Sequence, residues 1–157
     1  MVIVEYEWTA KGNTAAIEEW ATRFLCHLNE DLFEKRSKTR YVNISIKYSK
    51  EVMVGWCHGD EEEVWIELGN ELLEDEDYFM ETLAHELVHA KQLLTGELKD
   101  LDNFRTEWKG EEYINLRDKL PEEVYRGLPW EEEAYRRQKE YLQVLPEESL
   151  FKRYRPL

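Results

Sequence analysis

Apolar and polar positions alternate from Val2 to Thr9, the period of a strand with one buried face and one wet face. After Asn13, a residue suited to cap a helix, the period lengthens. Ile17, Trp20, Ala21, Phe24, Leu25, Leu28 and Leu32 fall on one stripe and predict a helix ending near Lys35. Tyr41–Tyr48 (YVNISIKY) alternates again. Val52–Cys57 and Val64–Leu68 (VWIEL) read as two more strands, separated by an acidic turn. Asp75 or Asp77 can open a long helix through YFMETLAHELVHAKQLLTG, which Gly96 stops. Phe79, Leu83, Leu87, Ala90 and Leu94 form its apolar stripe, leaving Glu81, His85, His89 and Gln92 toward a cleft or solvent.

Residues 97–129 keep no period and are broken by Gly110, Pro121, Gly127 and Pro129, so they are expected to be irregular, with Trp108 and Tyr113 as a small core beneath the loop. A last helix is expected from Trp130 to about Leu145, where Pro146 ends it. The order strand, helix, strands, helix, loops, helix predicts one α+β domain spanning residues 1–157. Its expected architecture is a small, mostly antiparallel sheet on three main helices.

Composition narrows the function classes. Hydrophobic residues reach 42%, enough for a core despite 36% charged residues. The net charge of −14 repels nucleic-acid phosphates and anionic lipid, so neither is an expected partner, and it favours a soluble monomer. No run is apolar enough to span a bilayer, and the N-terminus lacks the basic region of a secretory signal. Cys26 and Cys57 are isolated and read as reduced thiols, Cys57 beside His58 being a packing residue rather than half of a metal pair. These features predict a cytoplasmic protein.

The chemistry gathers in AHELVHA, residues 84–90. His85 and His89 are one helical turn apart on one face, able to share a single ion. Glu86 lies about 100° around the helix, poorly placed to join them but able to reach a water beside the ion. Two neutral imidazoles, a third protein ligand and an open position make up a hydrolytic Zn²⁺ site. The same string also arises on a wet helical face with no metal.

No histidine follows His89, so a third ligand downstream must be a carboxylate. The stretch LPWEEEAYRRQKEYLQVL supplies candidates. Trp130, Ala134, Gln138, Tyr141, Leu142 and Leu145 define its inward face, and Glu131 falls within that arc. Glu132 points nearly opposite and Glu133 sideways. A glutamate turned inward needs a partner, which zinc would be; it would also favour the helix N-terminus without one. Helical phase prefers Glu131 and leaves Glu133 as the alternative.

TLAHELVHAKQLLTGEL, then WKGEEY, then LPWEEEAY, resemble small phage-encoded metallopeptidases and, more broadly, minimal zincins of the gluzincin type, over residues 77–140. The resemblance implies a zincin-like fold, with His85 and His89 as zinc ligands, Glu86 as general base and a glutamate of a second helix as third ligand. Its ExxA pattern falls on Glu131 and Ala134. It also implies a strand bordering the cleft that pairs with an extended peptide or protein substrate, for which Val64–Leu68 is the candidate; the expected cytoplasm, a host cell's included, rests on the cysteines and the missing signal. The Asn-Glu ligand segment of larger gluzincins is missing, as is a substrate-binding subdomain. Tyr113, Tyr125, Tyr135 and Arg136 lie where an oxyanion donor would be needed, and Tyr135, one turn after Glu131, is the candidate. The competing reading is a zinc-stabilised, non-catalytic binding module with an acidic surface.

Overall fold

The computed structural model describes residues 1–7, 15–47, 55–114 and 120–145. The expected helix cap Asn13, the strand ends at Tyr48 and Val52, and the stop at Pro146 lie outside them. The fold is α+β. Strands β1 (Val2–Glu7), β2 (Arg40–Lys47), β3 (Gly55–Gly59) and β4 (Glu63–Gly69) form one sheet in the order β1-β2-β4-β3. β1 pairs with β2, and β2 with β4, in parallel; only β3 runs antiparallel, against β4. The sheet is therefore mixed, not mostly antiparallel as expected. A helix lies between β1 and β2, and that crossover is what a parallel pair requires.

Alternation decides what packs where. Val2, Val4 and Tyr6, Val42 and Ile44, Val64, Ile66 and Leu68, and Cys57 all turn to one face and are buried. Helices α1 (Ala15–Leu28) and α2 (Glu76–Leu94) cover that face. The opposite face carries the exposed Tyr41, Trp56 and Trp65. Cys57 and His58 thus point to opposite sides of β3, His58 stacking on Trp65, so these neighbours cannot grip one ion together.

Helix α1 ends earlier than expected. Asn29 accepts a hydrogen bond from the Asp31 amide and opens a 3-10 turn at Glu30–Phe33, which still buries Leu32. Helix α2 begins at the Asp75 cap, whose carboxylate accepts from the Tyr78 amide at 3.2 Å, and ends before Gly96 at φ +75°. Phe79, Leu83, Leu87, Ala90 and Leu94 are all buried, as their period predicts.

The segment expected to be irregular is not. Strands β5 (Leu98–Leu101), β6 (Arg105–Trp108) and β7 (Glu111–Ile114) form a second, antiparallel sheet. Lys109 and Gly110 both have positive φ, which is the two-residue hairpin turn that matches strand twist. Trp108 and Tyr113 close on Trp130, with ring centroids 6.4 and 5.4 Å away, so the small core expected there forms.

Two short helices follow, α3 (Glu122–Arg126) and α4 (Pro129–Arg137). Pro129 occupies the first turn of α4, where its missing N–H costs nothing. At Gln138 the chain tightens into a 3-10 helix, Gln138–Val144, instead of continuing as α-helix. The change of period carries Leu142 and Leu145 off the inward face, leaving them 58% and 47% exposed.

Candidate metal centre

Helix α2 presents His85 and His89 on the side met by α4 and the 3-10 helix that follows it. The buried Trp130 anchors the start of α4, and the next residue, Glu131, is driven against α2 at 1% exposure. Glu131 Oε2 stands 3.2 Å from His85 Nε2, and Oε1 stands 3.1 Å from His89 Nε2. One ligand atom from each of the three residues lies within 4.8 Å of the others. Glu132 is exposed, and Glu133 turns to Lys91 Nζ at 3.5 Å and Gln92 Nε2 at 3.2 Å. Of the three consecutive glutamates, only Glu131 enters the cluster.

The far sides of both imidazoles are occupied. His85 Nδ1 meets Gln138 Oε1 at 2.8 Å, and Gln138 Nε2 donates to Glu81 at 2.6 Å. His89 Nδ1 meets Gln92 Oε1 at 2.8 Å, while Gln92 Nε2 donates to the Trp130 carbonyl at 3.0 Å and to Glu133. Carbonyl and carboxylate oxygens can only accept, so each amide turns its NH₂ to them and its oxygen to the ring. Each Nδ1 therefore carries a proton, and each Nε2 faces the Glu131 carboxylate. Three lone-pair donors cannot share one buried spot without a cation between them.

Without metal, a proton fills that role. Burial works to lower the His89 pKa, but the Glu131 carboxylate outweighs it and holds the imidazole at about 9. Burial likewise works to raise Glu131, but charged His89 and the bonds from His85, His89 and Tyr125 hold its carboxyl well below the usual carboxylate range. The donor set of two imidazole nitrogens and one carboxylate suits zinc. Ligand atoms of a tetrahedral zinc with bonds of about 2.0–2.1 Å stand roughly 3.3 Å apart; here each imidazole is about that far from one of the two Glu131 oxygens, and one ligand atom from each residue lies within 4.8 Å of the others.

Other side chains finish the site. The Tyr125 hydroxyl donates to Glu131 Oε1 at 2.7 Å and fixes that carboxylate. Tyr135 lays its ring against His85, with centroids 4.6 Å apart, under the Arg126 guanidinium at 4.8 Å. Burial pushes the Tyr135 hydroxyl pKa up; Arg126 opposes this and the Glu131, Glu122 and Glu86 carboxylates add to it, so it stays protonated at neutral pH. Glu86 is buried against β3, where a Cβ on Gly55 would come within 2.9 Å of its Oε1. Val64–Leu68, expected to border the cleft, is an interior strand with β2 and β3 on either side; among the described strands, β3, last in the sheet order, is the one against Glu86.

Of the residues singled out in the sequence, His85, His89 and Glu131 meet, and Glu86 and Tyr135 flank them. Tyr113 packs on Trp130 instead, its hydroxyl donating to Glu111. The roles of Gln92, Gln138, Tyr125 and Gly55 were missed. Helical phase held a signal for two of them, since Gln92 follows His89 by three residues and Gln138 follows Glu131 by seven. No protein-family model, curated protein or solved structure matches the chain. Among the described residues, no helix is long and apolar enough to cross a membrane.

Proposed function

We propose that the chain is a zinc metallopeptidase of the minimal gluzincin kind, with a zincin-like fold. The observation that carries this reading is the convergence of two Nε2 atoms, each ring fixed by an Nδ1 contact to a glutamine, on the buried Glu131 carboxylate. Zinc held by His85, His89 and Glu131 would supply an acidified water and polarise a carbonyl. Glu86 takes the proton of the attacking water and returns it to the leaving amine. Tyr135, kept protonated, donates to the oxygen that gains charge. Tyr125 holds Glu131 in place. Strand β3, whose Gly55 meets Glu86, borders the place where an extended peptide substrate would lie.

Zinc-loaded protein is expected to cleave a pool of randomised decapeptides, to stop on addition of 1,10-phenanthroline and to resume when zinc is restored. A fully zinc-loaded protein that leaves the pool intact would sink the peptidase reading. A second expectation concerns Gly55. A methyl group there pushes the Glu86 carboxylate aside, because the β3 backbone cannot easily retreat. Gly55→Ala is expected to lower kcat by about 10- to 100-fold, the scale of a catalytic group misplaced by up to 1 Å, with zinc content unchanged. Wild-type kcat in that variant would show that β3 does not position Glu86.

A further inference from the structure

Each histidine of the centre gives its Nδ1–H to a glutamine, and each glutamine gives an amide N–H to a glutamate. One run is His85–Gln138–Glu81, with contacts of 2.8 and 2.6 Å. The other is His89–Gln92–Glu133, with contacts of 2.8 and 3.2 Å. They share no residue. In the first the glutamate sits on α2 and the glutamine beyond α4; in the second the glutamine sits on α2 and the glutamate on α4. The geometry points to Glu81 and Glu133 as positioning residues that keep both Nε2 atoms open to a metal by locking the glutamine between. This inference rests on the metal-site reading above.

A glutamine amide has nearly the same shape after a half-turn that exchanges its oxygen and its NH₂. With oxygen toward the ring, the imidazole keeps its proton on Nδ1 and offers Nε2. With NH₂ toward the ring, Nδ1 must accept, the proton moves to Nε2 and the ligand atom is lost. A carboxylate at the far end accepts only, so it admits one of the two orientations. The amide spacer also keeps a full negative charge one residue farther from the buried Glu131 than a carboxylate placed directly on the imidazole would.

The two runs differ in redundancy. Gln92 has a second acceptor in the Trp130 carbonyl and is itself fully buried. Gln138 leans on Glu81 at 2.6 Å. Glu133 is held by Lys91, which Glu97 also pairs at 2.7 Å, so Lys91 keeps a partner if Glu133 is removed. Glu81 should therefore matter more than Glu133.

The test combines zinc affinity, by competition with a chromogenic chelator, and ¹⁵N-histidine NMR of the zinc-loaded protein. Glu81→Ala is expected to weaken zinc about tenfold, the lower end for a lost outer partner of a metal ligand, and to broaden or remove the His85 Nδ1–H resonance while sparing that of His89. Glu81→Gln keeps an acceptor oxygen and should stay within about threefold of wild type, a fraction of one hydrogen bond. Glu133→Ala should cost only about two- to threefold, because the Trp130 carbonyl still orients Gln92. Melting of the metal-free variants checks that they fold. Equal losses in Glu81→Ala and Glu81→Gln with the resonance intact would indicate charge alone and overturn the relay. Wild-type affinity in Glu81→Ala would overturn it too, leaving the metal site standing. A wild-type chain that binds no zinc would remove the metal reading, and the relay with it.

Discussion

Zinc at a hundredfold excess over its Kd is expected to raise the melting temperature of the wild-type protein by roughly 5–10 °C and to leave Glu131→Gln unmoved. Binding to the folded state alone contributes about 2.7 kcal/mol at that excess, and about 1 kcal/mol shifts a domain of this size by roughly 2–4 °C. Glu131→Gln keeps the shape of the side chain, and its NH₂ can donate to an imidazole Nε2. The metal-free fold should therefore survive while the anionic ligand is gone. Removing both histidines is a harsher change, because it leaves the Glu131 carboxyl at 1% exposure without the imidazoles that face it. His85→Ala/His89→Ala is thus the control for metal content, and Glu131→Gln the control for response. Elemental analysis should find about one zinc per wild-type chain and none in the double variant. Glu133→Ala should still respond, since Glu133 faces Lys91 and Gln92 rather than the cluster. A thermal response lost in Glu133→Ala and kept in Glu131→Gln would reverse the choice of third ligand.

How much of this was legible depends on whether the governing interaction is local. Helix α2 was readable to within a residue or two at each end. Asp75, the apolar period and Gly96 are neighbours in sequence, and each acts through its own backbone. The parallel pairing of β1, β2 and β4 was not read. Alternation reports only which face of a strand is buried, and a parallel strand with one wet face alternates like an antiparallel one. The helix between β1 and β2 was the available sign. Strands β5–β7 are four residues each, too short to show a period. They are held by turn geometry at Lys109 and Gly110 and by Trp108 and Tyr113 closing on Trp130, a contact across more than fifteen residues of sequence.

The site divides along the same line. Phase alone separated Glu131 from Glu132 and Glu133, because all three sit in the one helical turn whose start Pro129 marks. What surrounds the histidines came from elsewhere in the chain. Gln138 reaches His85 across 53 residues, and Gly55 meets Glu86 because β3 takes the sheet edge beyond β4. The interior place of Val64–Leu68, with β3 beyond it in the described sheet, follows from strand order, which no local pattern encodes. The later part of the last helix was misread for a physical reason as well: a 3.6-residue period was extended past Gln138, where the chain adopts a period of three.

Glu86→Gln is expected to keep zinc and lose turnover, with kcat falling about 10²- to 10⁴-fold, the range supplied by a positioned proton acceptor. The amide matches the carboxylate in size, so it fits the space beside Gly55 that a larger group could not enter. It cannot take a proton from water at neutral pH. Glu86 stands outside the His85, His89 and Glu131 cluster, so the proposed ligand set is complete without it. Zinc content and the thermal shift should match wild type. That pairing separates three cases. Loss of zinc together with turnover would make Glu86 a ligand or a structural carboxylate. Retained turnover at full zinc occupancy would remove it as the base and move the search to another acceptor near the centre. Loss of turnover alone, with kcat/KM falling in step with kcat, is the signature of a group that acts only in the transition state.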